Sequence, residues 1–240
     1  MFALMPFCCR TDYLAGAAIF PWRVGPRTLR CGMSIERLRK IVHAAVPVLF
    51  DQIRGGRVPC ESEATLQLHL GRIISTMGDL AMIHPRETFS IELEKPLIGV
   101  RRGRIDVWFA LTTADDQQWR CAIELKFPKR INHKEPNNRY DIFKDIARLE
   151  SCKDVADLGY MVVGTDHPHY IEQEIYSADT HDFDLRNGRS YRAGTAMVYR
   201  TEKPHGPPIT LSGDYVFTWT DTTHELRYML LEVTPVRDWA

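Results

Sequence analysis

The stretch that decides the fold reads Arg104-Ile-Asp-Val-Trp-Phe-Ala-Leu111, then Thr112-Thr-Ala-Asp-Asp-Gln-Gln118, then Trp119-Arg-Cys-Ala-Ile-Glu-Leu-Lys-Phe127. Its first and last segments are rich in β-branched, aromatic and other apolar residues, whereas the middle segment is short and polar. This pattern is typical of two strands joined by a hairpin loop. We therefore expect antiparallel strands over residues 104–111 and 119–127.

Three charged side chains lie within these apolar strands. Side chains alternate between the two faces of a strand, so Glu124 and Lys126 share one face and Leu125 lies on the other. If the loop is centred on Asp115, Asp106 lies directly opposite Glu124, about 5 Å away. Two carboxylates at this distance repel each other, but they suit a shared hard cation such as Mg²⁺.

A second interpretation is a half-exposed hairpin whose charges form surface ion pairs that contribute little to stability. The apolar residues around each charge favour the first interpretation, because they predict strands that are buried on both faces. Charged groups in such strands need ionic partners or a metal.

The flanking sequence predicts four more elements. They are a helix, a strand, a second helix and a short buried strand, at residues 61–77, 88–94, 138–150 and 159–164. Glu63 falls on the apolar stripe of the first helix, and Asn138 is the expected N-cap of the second.

This series of elements, with Asp106 on the second strand and Glu124-x-Lys126 on the third, resembles the PD-(D/E)XK nuclease superfamily, which includes many restriction endonucleases. The resemblance implies an α/β fold with a restriction-endonuclease-like αβββαβ core over residues 61–165. In that fold a central mixed sheet is flanked by helices, and here a C-terminal strand-rich extension would follow. Ile105 stands where the proline of the superfamily's name would be.

The resemblance also implies a metal site. Asp106 and Glu124 would bind Mg²⁺, for which Mn²⁺ can substitute, and the carbonyl oxygen of Leu125 would add a third ligand. Such a cation polarises the phosphoryl oxygen and lowers the pKa of a water in phosphodiester hydrolysis.

Two further residues receive roles from the same resemblance. Lys126 would orient or help to deprotonate the attacking water, and Glu63 would hold a second metal or a metal-bound water. An alternative for Glu63, as for Glu61, is an acid at a helix N-terminus that complements the helix dipole.

Overall charge does not indicate a nucleic-acid partner, because 31 basic residues balance 31 acidic ones and the pI is about 7.1. Basic residues do cluster on either side of the proposed site. Between Lys126 and Arg139, five basic residues face one acidic residue, a local charge of +4. The residues predicted to hold a phosphate backbone are Arg102, Arg104, Lys129, Arg130, Lys134 and Arg139. A solvated loop is the alternative for any one of these residues.

The N-terminal part begins with an irregular leader over residues 1–32, before a predicted helix over 34–53. Met33 directly precedes that helix, so we expect either a start at Met33 or a loosely ordered leader. With 44% hydrophobic residues, residues 33–240 are expected to form one domain.

The part after residue 165 predicts a helix near residues 170–176 and apolar runs at 194–200, 214–219 and 226–233. The last run fits either a strand or a helix. This extension is expected to enlarge the central sheet or to form a recognition surface. The His167-Pro-His169 sequence is interpreted as a loop or a helix start rather than a metal-binding pair.

Six cysteines without a CxxC spacing indicate a reduced, cytoplasmic protein rather than a disulfide framework or a zinc site. The sequence contains no run of eighteen apolar residues, so no membrane partner is expected. A homodimer and a partner subunit are both compatible with the sequence.

The preferred functional hypothesis is Mg²⁺-dependent hydrolysis of DNA phosphodiester bonds. The choice of DNA over RNA rests on the superfamily resemblance alone. The alternative is a non-catalytic nuclease-fold subunit that binds nucleic acid or a protein partner, for example in a defence or mobile-element system.

Overall fold

The computed structural model describes residues 27–59, 61–97, 103–132, 134–220 and 224–236. The helices are α1 (Arg27–Arg54), α2 (Glu63–Ala81), α3 (Glu135–Glu150) and the short α4 (His169–Glu172), with a 3-10 turn at Arg130–Asn132. The strands are β1 (Thr88–Pro96), β2 (Arg104–Thr112), β3 (Gln118–Lys126), β4 (Leu158–Thr165), β5 (Ser190–Tyr191), β6 (Ala196–Met197), β7 (Ile209–Thr210), β8 (Tyr215–Val216) and β9 (Arg227–Val233).

Five of these strands form one mixed sheet in the order β1-β2-β3-β4-β9. Strand β4 runs parallel to β3, with α3 as the crossover between them, and the other neighbours are antiparallel. In the β2–β3 hairpin Val107 pairs with Ile123 and Thr112 pairs with Gln118, which is the predicted register. The expectation of an α/β fold with a central mixed sheet flanked by helices is confirmed.

The sheet separates two apolar cores. Helices α1 and α2 cover one face, towards which Val107, Phe109 and Leu111 point. Helix α3 and the C-terminal segment cover the other face, towards which Trp108 and Ala110 point. Strands β2 and β3 are therefore buried on both faces, as their continuous apolar runs predict.

Two helices begin earlier than the sequence predicts. Helix α1 begins at Arg27, so residues 27–32 continue the helix instead of belonging to an irregular leader, and residues 1–26 lie outside the described residues. Helix α3 begins at Glu135 with a proline in its first turn, a favoured position because the first helical N–H groups lack partners anyway. Asn138 is thus inside the helix, where its side-chain amide donates to the Tyr170 hydroxyl instead of capping the helix.

The C-terminal extension contributes to the central sheet. The ambiguous run 226–233 contains strand β9, which pairs with β4 from Gly159 opposite Val233 to Thr165 opposite Arg227. The other two apolar runs provide only the two-residue strands β6 and β8, in separate two-stranded sheets. Helix α4 begins at His169, after Pro168, so the His-Pro-His sequence is a helix start as expected.

An ion pair links α1 to the residue before β1. The Arg37 guanidinium donates two hydrogen bonds of 2.8 Å to the Glu87 carboxylate, one to each oxygen. Glu87 also accepts hydrogen bonds from the backbone N–H groups of Ile83 and His84. The guanidinium, together with these N–H groups, lowers the pKa of Glu87 from 4.5 to about 2.

This ion pair predicts a component of stability that acid removes. Because the pKa of Glu87 is lower in the folded protein, its contribution is complete above pH 4.5 and is lost as the pH falls towards about 2. We expect the difference in free energy of unfolding between wild type and Glu87→Gln to shrink across that window. Urea unfolding of both proteins from pH 6 down to about pH 2 would measure it. A difference that stays constant over this range would contradict the assignment.

Candidate functional site

Two carboxyl groups meet where β2 and β3 lie side by side. Asp106 accepts a hydrogen bond of 2.6 Å from the backbone N–H of Leu125, and its negative charge acts on the neighbouring Glu124 carboxyl. Glu124 is only 1% exposed to solvent. The structure therefore brings together the two acids that the strand register predicts to be opposite each other.

The surroundings of these two acids favour their protonated forms. Burial raises the pKa of Glu124 to about 8, although Arg148 opposes the change and the negative charge of Asp106 adds to it. Burial also raises the pKa of Asp106, against the lowering effects of the Leu125 N–H and Lys126. Burial thus makes ionisation of both acids costly unless a cation compensates their charge.

Lys126 lies beside this pair and is surrounded by acids. Its Nζ is 2.9 Å from Asp145 Oδ2 and 3.8 Å from Glu63 Oε2. Burial lowers the pKa of Lys126, but Asp145 and Glu63 outweigh burial and the net pKa is raised. Lys126 is therefore a cation at neutral pH, which favours the stabilisation of negative charge over removal of a proton from water. Its Nζ also donates to the carbonyl oxygen of Leu125 at 3.2 Å, so this predicted metal ligand already has a hydrogen-bond partner.

Glu63 reaches the site from the first turn of α2. Ser62 caps that helix by accepting a hydrogen bond from Thr65 N, and this sets the direction of the first turn. The Glu63 carboxylate accepts a hydrogen bond of 3.2 Å from Phe127 N, directly after β3. Glu61, the alternative acid, contributes only a backbone contact, from Lys129 Nζ to its carbonyl oxygen. Of the two acids, Glu63 is the one whose carboxylate lies next to Lys126.

Three residues of the site were not predicted from sequence. Arg148, on α3, donates from Nε to Glu124 Oε1 at 2.9 Å, and its Nη2 lies 2.7 Å from Oε2. The same Nη2 is 3.0 Å from Asp145, one helical turn earlier. Gln67, on α2, donates to the backbone oxygen of Asp106 at 2.6 Å. A signal for Asp145 exists in the sequence, because this charge lies among the apolar residues of the buried face of that helix.

The residues predicted to hold a phosphate backbone occupy different environments. Arg104, Arg130 and Lys134 are exposed, and Lys129 is partly exposed above the Phe127 ring. Arg104 lies 3.9 Å from Glu94. Arg102 lies outside the described residues. The exposed members follow β3 or begin β2, so they flank the end of the sheet that carries Lys126.

Arg139 does not belong with these surface residues. It is 1% exposed, and its guanidinium donates to the carbonyl oxygens of Thr180 and Phe183 and to the Thr180 hydroxyl. The same guanidinium lies over the Tyr176 ring, 3.7 Å from its centroid. The predicted contact of Arg139 with a nucleic acid is wrong. Helix α3 directs this side chain into the core, where it forms hydrogen bonds with the segment 180–183.

The donor chemistry of the site fits a hard divalent cation. Its candidate ligands are all oxygen atoms, and Glu124 Oε2 is buried without a well-formed hydrogen bond, although Arg148 Nη2 contacts it as an ion pair. Within the described residues, no group of three or more His, Cys, Asp or Glu side chains is arranged to hold a metal ion. Two carboxylates are nevertheless enough for Mg²⁺, which usually keeps several waters and takes its other ligands from substrate phosphates.

Comparison with protein-family models, with curated proteins and with solved structures gives no match. The resemblance to the PD-(D/E)XK nucleases therefore remains an interpretation of the motif and of the order of elements. No helix among the described residues is both long enough and apolar enough to cross a membrane. The two cysteine side chains that the structure describes, Cys121 and Cys152, are buried free thiols.

Proposed function

We propose that this protein is a metal-dependent nuclease that hydrolyses DNA phosphodiester bonds. The observation that carries the proposal is the meeting of the Asp106 and Glu124 carboxyl groups beside a protonated Lys126, within two largely apolar strands. Buried like charges are costly, so their presence in two core strands favours a functional role over a structural one.

In this proposal Asp106 and Glu124 would hold Mg²⁺ or Mn²⁺. When bound, the ion would act as a Lewis acid towards the phosphoryl group and make a nearby water more acidic. Lys126, kept cationic by Asp145 and Glu63, would offset the negative charge that develops on the phosphoryl oxygens. Glu63, with its carboxylate fixed by Phe127 N, would hold Lys126 in place or accept a hydrogen bond from a water.

Exposed basic residues near the same end of the sheet support a nucleic-acid substrate. Arg104, Lys129, Arg130 and Lys134 would contact the phosphate backbone, which positions a nucleic acid without reading its sequence. The preference for DNA over RNA comes from the superfamily resemblance.

A second candidate function has its own observation. Arg148 already engages both oxygens of Glu124, so the pair of acids has an internal cation as partner. That arrangement favours a nuclease-fold protein that has exchanged catalysis for binding of nucleic acid or of a partner subunit.

The deciding experiment is a cleavage assay with linear, nicked, branched and single-stranded DNA and with RNA, in Mg²⁺, in Mn²⁺ and in EDTA. We expect metal-dependent cleavage by the wild type and its loss in Glu124→Gln and in Lys126→Ala. Lys203→Ala, at an exposed position of the C-terminal extension, is the matched control and should cleave like the wild type.

Two results would count against the proposal. Cleavage that persists in both site variants would place the activity elsewhere or in a contaminant. No cleavage of any substrate, together with salt-sensitive DNA binding by a folded protein, would support the binding function instead.

A further inference from the structure

Helix α3 presents an acid, Asp145, and a cation, Arg148, to the charged end of the sheet, and Arg148 has no role in the proposed chemistry so far. Two nitrogens of Arg148 contact the Glu124 carboxylate. Nε lies 2.9 Å from Oε1, and Nη2 lies 2.7 Å from Oε2. Asp145 lies between two cations, 3.0 Å from Arg148 Nη2 and 2.9 Å from Lys126 Nζ. The contacts thus form one continuous chain in which Glu124, Arg148, Asp145 and Lys126 alternate in charge.

The whole cluster has an excess of negative charge. It contains four carboxyl groups and two cationic groups, so its formal charge is −2 when all are ionised. The members are Glu63, Asp106, Glu124, Asp145, Lys126 and Arg148. Lys126 and Arg148 leave a charge of −2 uncompensated, and one divalent cation would neutralise it.

The two-point contact between Arg148 and Glu124 opposes metal binding by Glu124. A carboxylate has about four lone-pair sites, so a guanidinium that contacts both oxygens leaves some of them free, but it holds its positive charge where a divalent cation would bind. Release of at least one oxygen from Arg148 would reduce this repulsion and make Glu124 a stronger ligand. Asp145 already touches the Nη2 atom that would be released, so the guanidinium can keep an ionic partner without leaving the site.

We propose that Arg148 is a positioning residue that serves as the internal counter-ion of Glu124 and shifts its contact to Asp145 when a divalent cation binds. This inference rests on the proposed function, because it concerns the cation that the nuclease would use. Asp145 has a matching role, since it retains both Arg148 and Lys126 beside the site while the carboxylate pair changes partner. Occupied and unoccupied sites are then both charge-compensated, and the buried carboxylates are not left without a cation.

The test compares Mn²⁺ binding by the full-length wild type, Arg148→Lys and Arg148→Gln, with free Mn²⁺ measured by electron paramagnetic resonance. Lysine keeps the positive charge, but its ammonium group lacks the planar geometry that lets a guanidinium form a bidentate contact with both oxygens of Glu124. We expect Arg148→Lys to bind Mn²⁺ roughly tenfold more tightly than the wild type, because the metal no longer displaces a charge-assisted hydrogen bond. Arg148→Gln should bind at least as tightly, and the exposed control Arg192→Lys should match the wild type.

A second readout follows the arginine itself. The Nη–H resonances of Arg148, assigned by their disappearance in Arg148→Lys, should shift when Mg²⁺ is added, because Nη2 contacts both Glu124 and Asp145 in the metal-free protein and would keep only Asp145 afterwards. Circular dichroism of each variant establishes that it is folded before its affinity is compared.

Each result has a defined meaning. Tighter Mn²⁺ binding by Arg148→Lys with a Mg²⁺-dependent shift of the Nη–H resonances supports the exchange. Wild-type affinity in Arg148→Lys, or Nη–H resonances that Mg²⁺ leaves in place, overturns the exchange while the nuclease proposal stands. A wild type that binds no Mn²⁺ overturns both this inference and the metal dependence of the proposed nuclease.

Discussion

Replacing Asp106 with asparagine is expected to abolish metal-dependent cleavage and to leave the fold at least as stable as the wild type. Under the proposed function Asp106 would bind the metal, so its loss should lower the cleavage rate by about a thousandfold or more. The fold should not suffer, because the asparagine carbonyl can still accept the hydrogen bond from Leu125 N. The asparagine amide can in addition donate to Glu124, and one buried carboxyl group with a raised pKa is removed. We expect the free energy of unfolding to rise by about 1 kcal/mol.

Urea unfolding and a cleavage assay on the same preparations would measure both effects. The matched control is Asp157→Asn at the opposite end of β3, where Asp157 accepts hydrogen bonds from the backbone and guanidinium of Arg120. That variant should be less stable than the wild type and should still cleave. An Asp106→Asn protein that is destabilised and still cleaves would show that Asp106 is a structural residue.

The largest expected effect on stability comes from Glu150, the last residue of α3. Glu150 is 3% exposed, and its carboxylate accepts hydrogen bonds from Ser212 N, Gly213 N and the Tyr215 hydroxyl at 2.7 to 2.9 Å. It thereby ties α3 to the loop before β8. In Glu150→Gln the amide oxygen can take the Oε1 position, but the side-chain NH₂ then faces Ser212 N at the Oε2 position, and the negative charge that strengthens all of these hydrogen bonds is lost. We expect the free energy of unfolding to fall by about 2 to 4 kcal/mol.

Equilibrium urea unfolding at neutral pH would measure this loss, with the exposed Glu202→Gln as the control for the change of charge. A loss below about 1 kcal/mol would mean that the 212–215 loop is held by other contacts and that the carboxylate is dispensable. Because Glu150 lies away from the carboxyl pair, cleavage per folded molecule should not change.

The sequence was sufficient for the hairpin and for the pair of acids within it. The polar segment 112–118 fixes the centre of the loop, and side-chain alternation then places Asp106 and Glu124 opposite each other. These are local relations between neighbouring strands, and they depend on backbone geometry alone. The same reasoning could not provide Arg148, whose contact with Glu124 depends on how α3 packs across the sheet.

Arg139 shows how a local pattern can mislead. A run of basic residues after β3 suggested one continuous charged surface, but α3 begins at Glu135 and gives the later residues a helical spacing. Arg139, Phe143 and Ile146 then lie on one buried face. Correct placement of the helix start would have separated Arg139 from the exposed Arg130 and Lys134. Sequence patterns could not predict that the Arg139 charge is buried without an acidic partner at hydrogen-bond distance. Its acceptors are backbone oxygens of the segment 180–183, which lies far along the chain.

The position of β9 in the sheet determines when, during synthesis of the chain, the sheet around the site can be completed. Every charged residue of the site lies between residues 63 and 148, but the outer edge of β4 is covered only by residues 227–233. During synthesis from the N-terminus, a nascent chain thus contains all the charged side chains of the site before the five-stranded sheet that holds them is complete. The unpaired edge of β4 would be open to wrong strand partners throughout that interval. Under the proposed function, pairing of β9 would thus decide when the site becomes active, because the sheet that holds it is complete only once residues 227–233 have been added.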